Sequence, residues 1–193
     1  NICPNQNNRD IWVAEGVYYP TKKQGGTNDR HKTFFINKPV RIYGGFQGTE
    51  DSLHKRDPAS HLTILSGDID QNDTNGDNND IAETTNDIQG ANAYHVVWMD
   101  TVDANTLLDG FVITAGQATG ASINEQNGGG FYLRANGTGL SVKPNIYNTI
   151  VSGNLAMNQG GGSYVDGSNG GDAAPSFIKS TFSGNKAGSG GAM

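Results

Sequence analysis

The 193-residue chain contains 28 glycines, with only 34% hydrophobic and 17% charged residues, a mix that excludes an ordinary helical or doubly wound domain. Gly costs about 1 kcal/mol per helical position relative to Ala, and Asn, Ser, Thr and Asp compete with the helix through local side-chain hydrogen bonds. A net charge of −6 and a pI near 5.0 argue against nucleic acid or an anionic membrane surface as partner, and no run reaches the roughly 20 apolar residues of a spanning helix, so direct membrane insertion is not expected.

The first residues, Asn1-Ile2-Cys3-Pro4-Asn5, lack the basic and apolar regions of a signal peptide, so any export signal is expected to have been removed. Cys3 is the single cysteine and can form no internal disulfide. Short β-rich runs follow at 11–14, 17–19, 33–36, 40–43 and 62–66, punctuated by Gly25-Gly26, Gly44-Gly45 and Asp57-Pro58. The polar segments 24–32, 47–59, 68–92 and 118–127 are expected to protrude. Between Asp68 and Asp87 lie seven acids and no base, which leaves the remainder of the chain at +1. A further apolar run covers 94–99.

The second half repeats itself. Residues 145–154 align without a gap on 176–185, an offset of 31, and a looser copy ends at Gly116. Glycine clusters precede Phe131-Tyr132-Leu133, Ser163-Tyr164-Val165 and Ala192-Met193, their starts 32 and 30 residues apart. A unit of about 30 residues with short strands, Gly/Asn turns and no helical period fits one coil of a β-solenoid, whereas a propeller blade needs about 40. Alternation along one continuous strand would put Ile178, Ser180 and Phe182 on one face with Tyr147, Thr149 and Val151 above them, and the face of Phe182 and Val151 is assigned to the interior. The chain should turn at Gly153-Asn154 and Gly184-Asn185, and Asn residues about 4.8 Å apart in successive coils could form a hydrogen-bonded ladder.

The fold expected is therefore all-β, a right-handed parallel β-helix whose N-terminal portion carries irregular loops. It forms one domain over 1–193, with irregular coils over 1–105 and regular Gly/Asn-rich coils over 106–193. The segments Ile11-Trp-Val-Ala-Glu-Gly-Val-Tyr-Tyr-Pro-Thr21, Val40-Arg-Ile-Tyr-Gly-Gly-Phe46, Thr63-Ile-Leu-Ser-Gly-Asp68 and Leu108-Asp-Gly-Phe-Val-Ile113 resemble large secreted right-handed β-helix repeat proteins of Bacteroidetes. Phe182-Ser-Gly-Asn185 and Gly190-Gly-Ala-Met193 are similar to the FxxN and GGA repeats of chlamydial polymorphic outer-membrane proteins. Val151-Ser-Gly-Asn154 and Gly162-Ser163-Tyr164 depart from those motifs. The resemblance implies a secreted or cell-surface protein with further coils of its own longer chain, and it supplies no reaction.

Chemistry is sparse. In the acidic segment, Asp73, Asn75, Asp77 and Asp80 present oxygens at a D-x-N-x-D-x-x-D spacing similar to calcium loops of thrombospondin type 3 and dockerin repeats, with Gly76 permitting a bend. The reading preferred for the segment is a solvated acidic insertion without an ion, with Ca²⁺ as the alternative. Lys143, Lys179 and Arg134 are candidate bases for a polysaccharide lyase, but no acid cluster accompanies them on the repeat strands. The four histidines, His31, His54, His61 and His95, have no metal-ligand spacing. Eight aromatics, among them Trp12, Tyr43 and Trp98, pack in early coils or form a sugar-stacking platform. The expected function is an extracellular structural or adhesive scaffold that displays loops to a polysaccharide or a cell-surface protein. The alternative is a polysaccharide lyase or hydrolase, which would need a groove on one sheet lined by charged residues from several adjacent coils.

Overall fold

The computed structural model describes residues 10–193, so Cys3 lies outside the described residues. Three sheets carry the fold. The first is ordered β1 (Asp10–Ala14), β4 (Arg41–Phe46), β7 (Leu107–Asp109), β12 (Asn145–Tyr147) and β17 (Ser176–Ile178). The second is ordered β2 (Gly16–Tyr18), β5 (Thr63–Ser66), β8 (Val112–Thr114), β13 (Ile150–Ser152) and β18 (Thr181–Ser183). The third is ordered β3 (Phe34–Ile36), β6 (Val97–Asp100), β10 (Phe131–Arg134) and β15 (Ser163–Asp166). Two short ribbons pair β9 (Gln117–Ala118) with β14 (Leu155–Ala156) and β11 (Ser141–Val142) with β16 (Asp172–Ala173).

Every one of these strand pairs is parallel, and the chain visits first, second and third sheet in turn before returning to the first. The protein is thus all-β with parallel sheets, an arrangement compatible with a β-solenoid. Asn145 lies beside Ser176 and Ser152 beside Ser183, so the pairing register reproduces the offset seen in the sequence. Parallel strands need long crossovers, and each circuit supplies one.

The core runs between the sheets. Leu108, Ile113, Phe131, Leu133, Ile146 and Val151 are buried in one cluster, with Phe177 and Phe182 packed against it. Val151 and Phe182 point inward as expected, but Tyr147 and Ile178 do not. The segment is two strands rather than one. Asn148 and Lys179 take φ values of 46° and 52° between them, and this left-handed turn resets the alternation, so Ile146 and Phe177 face the core instead.

The Asn ladder forms at the next corner. Asn154 is fully buried. Its Nδ2 donates to Ile113 O at 3.1 Å and Asn185 Oδ1 at 2.9 Å, while its Oδ1 accepts from Gly116 N at 2.9 Å. One side chain thereby satisfies backbone groups of one neighbouring circuit and the Asn185 side chain of the other.

The long polar segments do not stand off the fold as protrusions. Gly153 and Gly184, at φ 63° and 58°, leave no room for a Cβ because the backbone oxygens of Ala82 and Glu83 lie directly against them. The segment 68–92 is therefore folded flat across the second sheet's edge, with Ala82 N donating to Thr114 Oγ1 at 3.0 Å and Ser152 Oγ donating to Ala82 O at 2.9 Å.

Replacing Asn154 by Ala orphans several buried backbone groups, and the cost expected is about 2–3 kcal/mol in urea unfolding. Asn185→Ala, at the half-buried end of the same ladder, should cost less. Equal effects would contradict the ladder's role.

Candidate functional site

Because Ile42, Leu108, Ile146 and Phe177 turn inward, their neighbours in the first sheet turn outward. Two rows result. Arg41, Leu107, Asn145 and Ser176 form one, and Tyr43, Asp109, Tyr147 and Ile178 form the other, each set in register across four strands. The turn 103–105 rises beside them, tied down by Asn145 Nδ2 donating to Ala104 O at 2.7 Å and by Asn105 N donating to Asp103 Oδ1 at 2.9 Å. The result is a cleft of about 710 Å³ lined by side chains from three circuits.

The cleft's floor is held by one ion pair. Arg56 Nη2 donates to Asp109 Oδ2 at 2.6 Å, with both side chains largely buried, and its Nη1 donates to Gly44 O at 3.0 Å and Asp109 O at 3.1 Å. Asn148 Nδ2 donates to the other carboxylate oxygen at 2.8 Å. The guanidinium also lies 5.4 Å above the Tyr43 ring, and burial raises the Tyr43 phenol above its ordinary value. Gly45, at φ 88°, lets Pro58 pack against its Cα, so the segment carrying Arg56 can approach the sheet. On its far side is a second depression of about 820 Å³ that includes Lys179.

A second carboxylate on this face, Asp10, accepts from Arg41 Nε at 2.6 Å. Glycoside hydrolysis needs one carboxyl free to donate a proton and another free to attack or to activate water. Here Asp10 and Asp109 each have a guanidinium partner, and Lys143, a candidate base, is paired with Asp172. What the cleft offers is a set of fixed donors and acceptors between tyrosines two strands, about 10 Å, apart.

The acidic segment places its four expected ligands unequally. Asp73 accepts from Gln89 N at 2.6 Å and Asn92 Nδ2 at 2.7 Å, Asn75 Nδ2 donates to Asp80 Oδ1 at 3.1 Å, and Asp77 accepts from Asn79 Nδ2 at 2.7 Å. Asp73, Asn75 and Asp80 line one cavity of about 220 Å³ with Asp68 and Tyr19, and Asp77 is not part of its lining. Among the described residues no three His, Cys, Asp or Glu side chains converge tightly enough to hold a metal. Burial pushes the Asp73 carboxyl up to about 6 and raises Asp68 as well.

His54 stands apart and His61 pairs with Glu15 at 2.8 Å, but His31 and His95 line one cavity although 64 positions separate them. Sequence reasoning also missed Arg56, Asp109, Asn145 and Tyr147. The outward-facing parity of the repeat strands was the available signal for the last three, and nothing local marks Arg56. No family model, curated protein or solved structure matches the chain.

An acid whose folded-state value lies above its ordinary 3.8 favours the protonated folded protein, so its contribution is present below that value and lost as pH rises through about 6. Asp73→Asn should therefore gain thermal stability relative to the native chain as pH is raised from about 4 to about 7. A constant difference across that range would show that Asp73 titrates normally.

Proposed function

We propose that the chain is part of a right-handed parallel β-helix that acts as an extracellular, non-catalytic adhesive scaffold, and that the cleft on its first sheet is the surface that grips a polysaccharide. The observation that carries this reading is the outward row Tyr43, Asp109, Tyr147 with Arg41 and Asn145 beside it, in register over successive circuits. A parallel stack repeats its surface chemistry along one axis, as a polymer does. Tyrosine and planar polar groups present apolar faces and hydrogen-bonding edges together, and Asp10 and Asp109 are engaged in structural ion pairs. The Gly/Asn-rich composition and the resemblance to secreted β-helix repeat proteins support a cell-surface or secreted setting.

Calcium is a second reading, favoured by one observation: Asp73, Asn75 and Asp80 line the same cavity. On that reading, calcium raises the melting temperature of the native chain above pH about 6, where Asp73 is ionised, and leaves Asp73→Asn unchanged.

The test is incubation with a panel of acidic and neutral polysaccharides, following retention, unsaturated-product absorbance and reducing ends together. The result expected is retention on one polymer without product, weakened tenfold or more by the pair Asn145→Ala and Tyr147→Ala. Steady release of product would replace the scaffold reading with a lyase or hydrolase. Retention untouched by the two substitutions would move the contact elsewhere.

A further inference from the structure

Opposite the cleft, the outer face of the third sheet is covered by two segments. Residues of 24–33 lie over Trp98, whose far ring edge packs on Gly25, and residues of 122–125 close from the other side. Between them is a cavity of about 180 Å³, the volume of about six water molecules at about 30 Å³ each. It is too small for an oligomer and large enough for one sugar or amino acid.

The charges around it do not balance. Lys32 is paired with Asp29 at 2.9 Å, and His31 Nε2 faces Glu125 Oε1 at 3.0 Å. Two guanidiniums remain. Arg30 donates only to neutral acceptors, to Asn92 O at 2.8 Å, Gln117 Oε1 at 2.8 Å and Thr119 Oγ1 at 2.9 Å, and stacks 4.3 Å from the Tyr94 ring centre. Burial lowers its ordinary value, a shift that the Tyr94 hydroxyl and the Glu125 carboxylate oppose without cancelling it. Arg134 stands in register between Asp100 and Asp166 on the neighbouring strands, yet its guanidinium makes no ion pair or hydrogen bond with any described residue. Instead it lines the cavity. A second donor is idle there as well: Trp98 is 7% exposed and its indole N–H is buried without an acceptor.

We infer that this cavity is a binding site for a small carboxylate, held by the Arg134 fork with the Trp98 N–H as an additional donor and Arg30 as a nearby positive charge. An unpaired guanidinium presents two parallel N–H groups that match a carboxylate bidentately, and a buried N–H without an acceptor costs about 1–3 kcal/mol until one arrives. In a chain of net charge −6, a guanidinium without an ion-pair partner, with a second guanidinium beside the same cavity, favours an anion there. The carboxylate can be borne by a sugar acid or by an amino acid. This site is separate from the polysaccharide cleft and does not depend on it.

The test uses the chain's two tryptophans. In Trp12→Phe, Trp98 is the sole indole reporter, and titration with D-glucuronate and L-glutamate should change its emission saturably with at least one of them. Which one responds identifies the carrier of the carboxylate. Adding Arg134→Gln should weaken the response at least tenfold while leaving circular dichroism and the unfolding midpoint in place, and Arg134→Lys should restore part of it. D-glucose and inorganic phosphate are the controls. No saturable response to either carboxylate overturns the inference, as does an equal response to D-glucose or phosphate, or a response that survives Arg134→Gln in the folded variant.

Discussion

Among the described residues, each strand hydrogen-bonds only to strands of the same rank in the neighbouring circuits, always parallel and in a register that shifts once, between Trp12 and Ala14. That constraint determines where every side chain goes. A residue that points inward in one circuit stacks on an inward residue in the next, so Leu108, Ile146 and Phe177 make one apolar row and Ile113, Val151 and Phe182 another. Outward residues make rows in the same way, and both candidate sites are built on such rows. At the corner, Asn154 serves the register by bonding to Ile113 in one neighbour and Asn185 in the other. A slip by one residue would turn the apolar rows to solvent.

Much of this was legible in the chain. The β-rich runs coincide with strands because β-branched and aromatic residues were concentrated between Gly and Asn, and the repeat offset is the register itself. The face assignment failed at Tyr147 and Ile178 because residues 145–154 read as one strand. Nothing in Asn148 or Lys179 announced a left-handed turn, although Asn tolerates one better than Lys does. The expectation of protruding loops failed for a related reason. Polar composition says a segment has little to bury, but Gly153 and Gly184 receive the passing backbone of Ala82 and Glu83, and sparse apolar residues suffice to dock it.

The sites were legible only in part. Arg56 and Asp109 are 53 positions apart and His31 and Glu125 are 94 apart, so no local motif could pair them. Once parity is known, Tyr43, Asp109 and Tyr147 fall into one row without further information. The electrostatics follow a division visible in the charge pattern. Seven acids and no base fall within 68–87, whereas the third-sheet cavity is lined by Arg30, Lys32 and Arg134 against the single carboxylate of Glu125. Separating the signs in this way leaves a positive cavity on a negative protein.

The register of the stacked circuits can be tested by a cross-link. Ser152 and Ser183 are paired across adjacent strands with their hydroxyls 3.3 Å apart, so cysteines at both positions in a Cys3→Ser background fall within disulfide range. Thr181 pairs with Ile150 instead, which makes it a diagonal neighbour of Ser152, more than about 7 Å away between Cα atoms and beyond reach of a disulfide. Rapid oxidation is expected of Ser152→Cys with Ser183→Cys and none of Ser152→Cys with Thr181→Cys. Efficient closure of the second pair, or failure of the first in a folded protein, would contradict the register on which both sites depend.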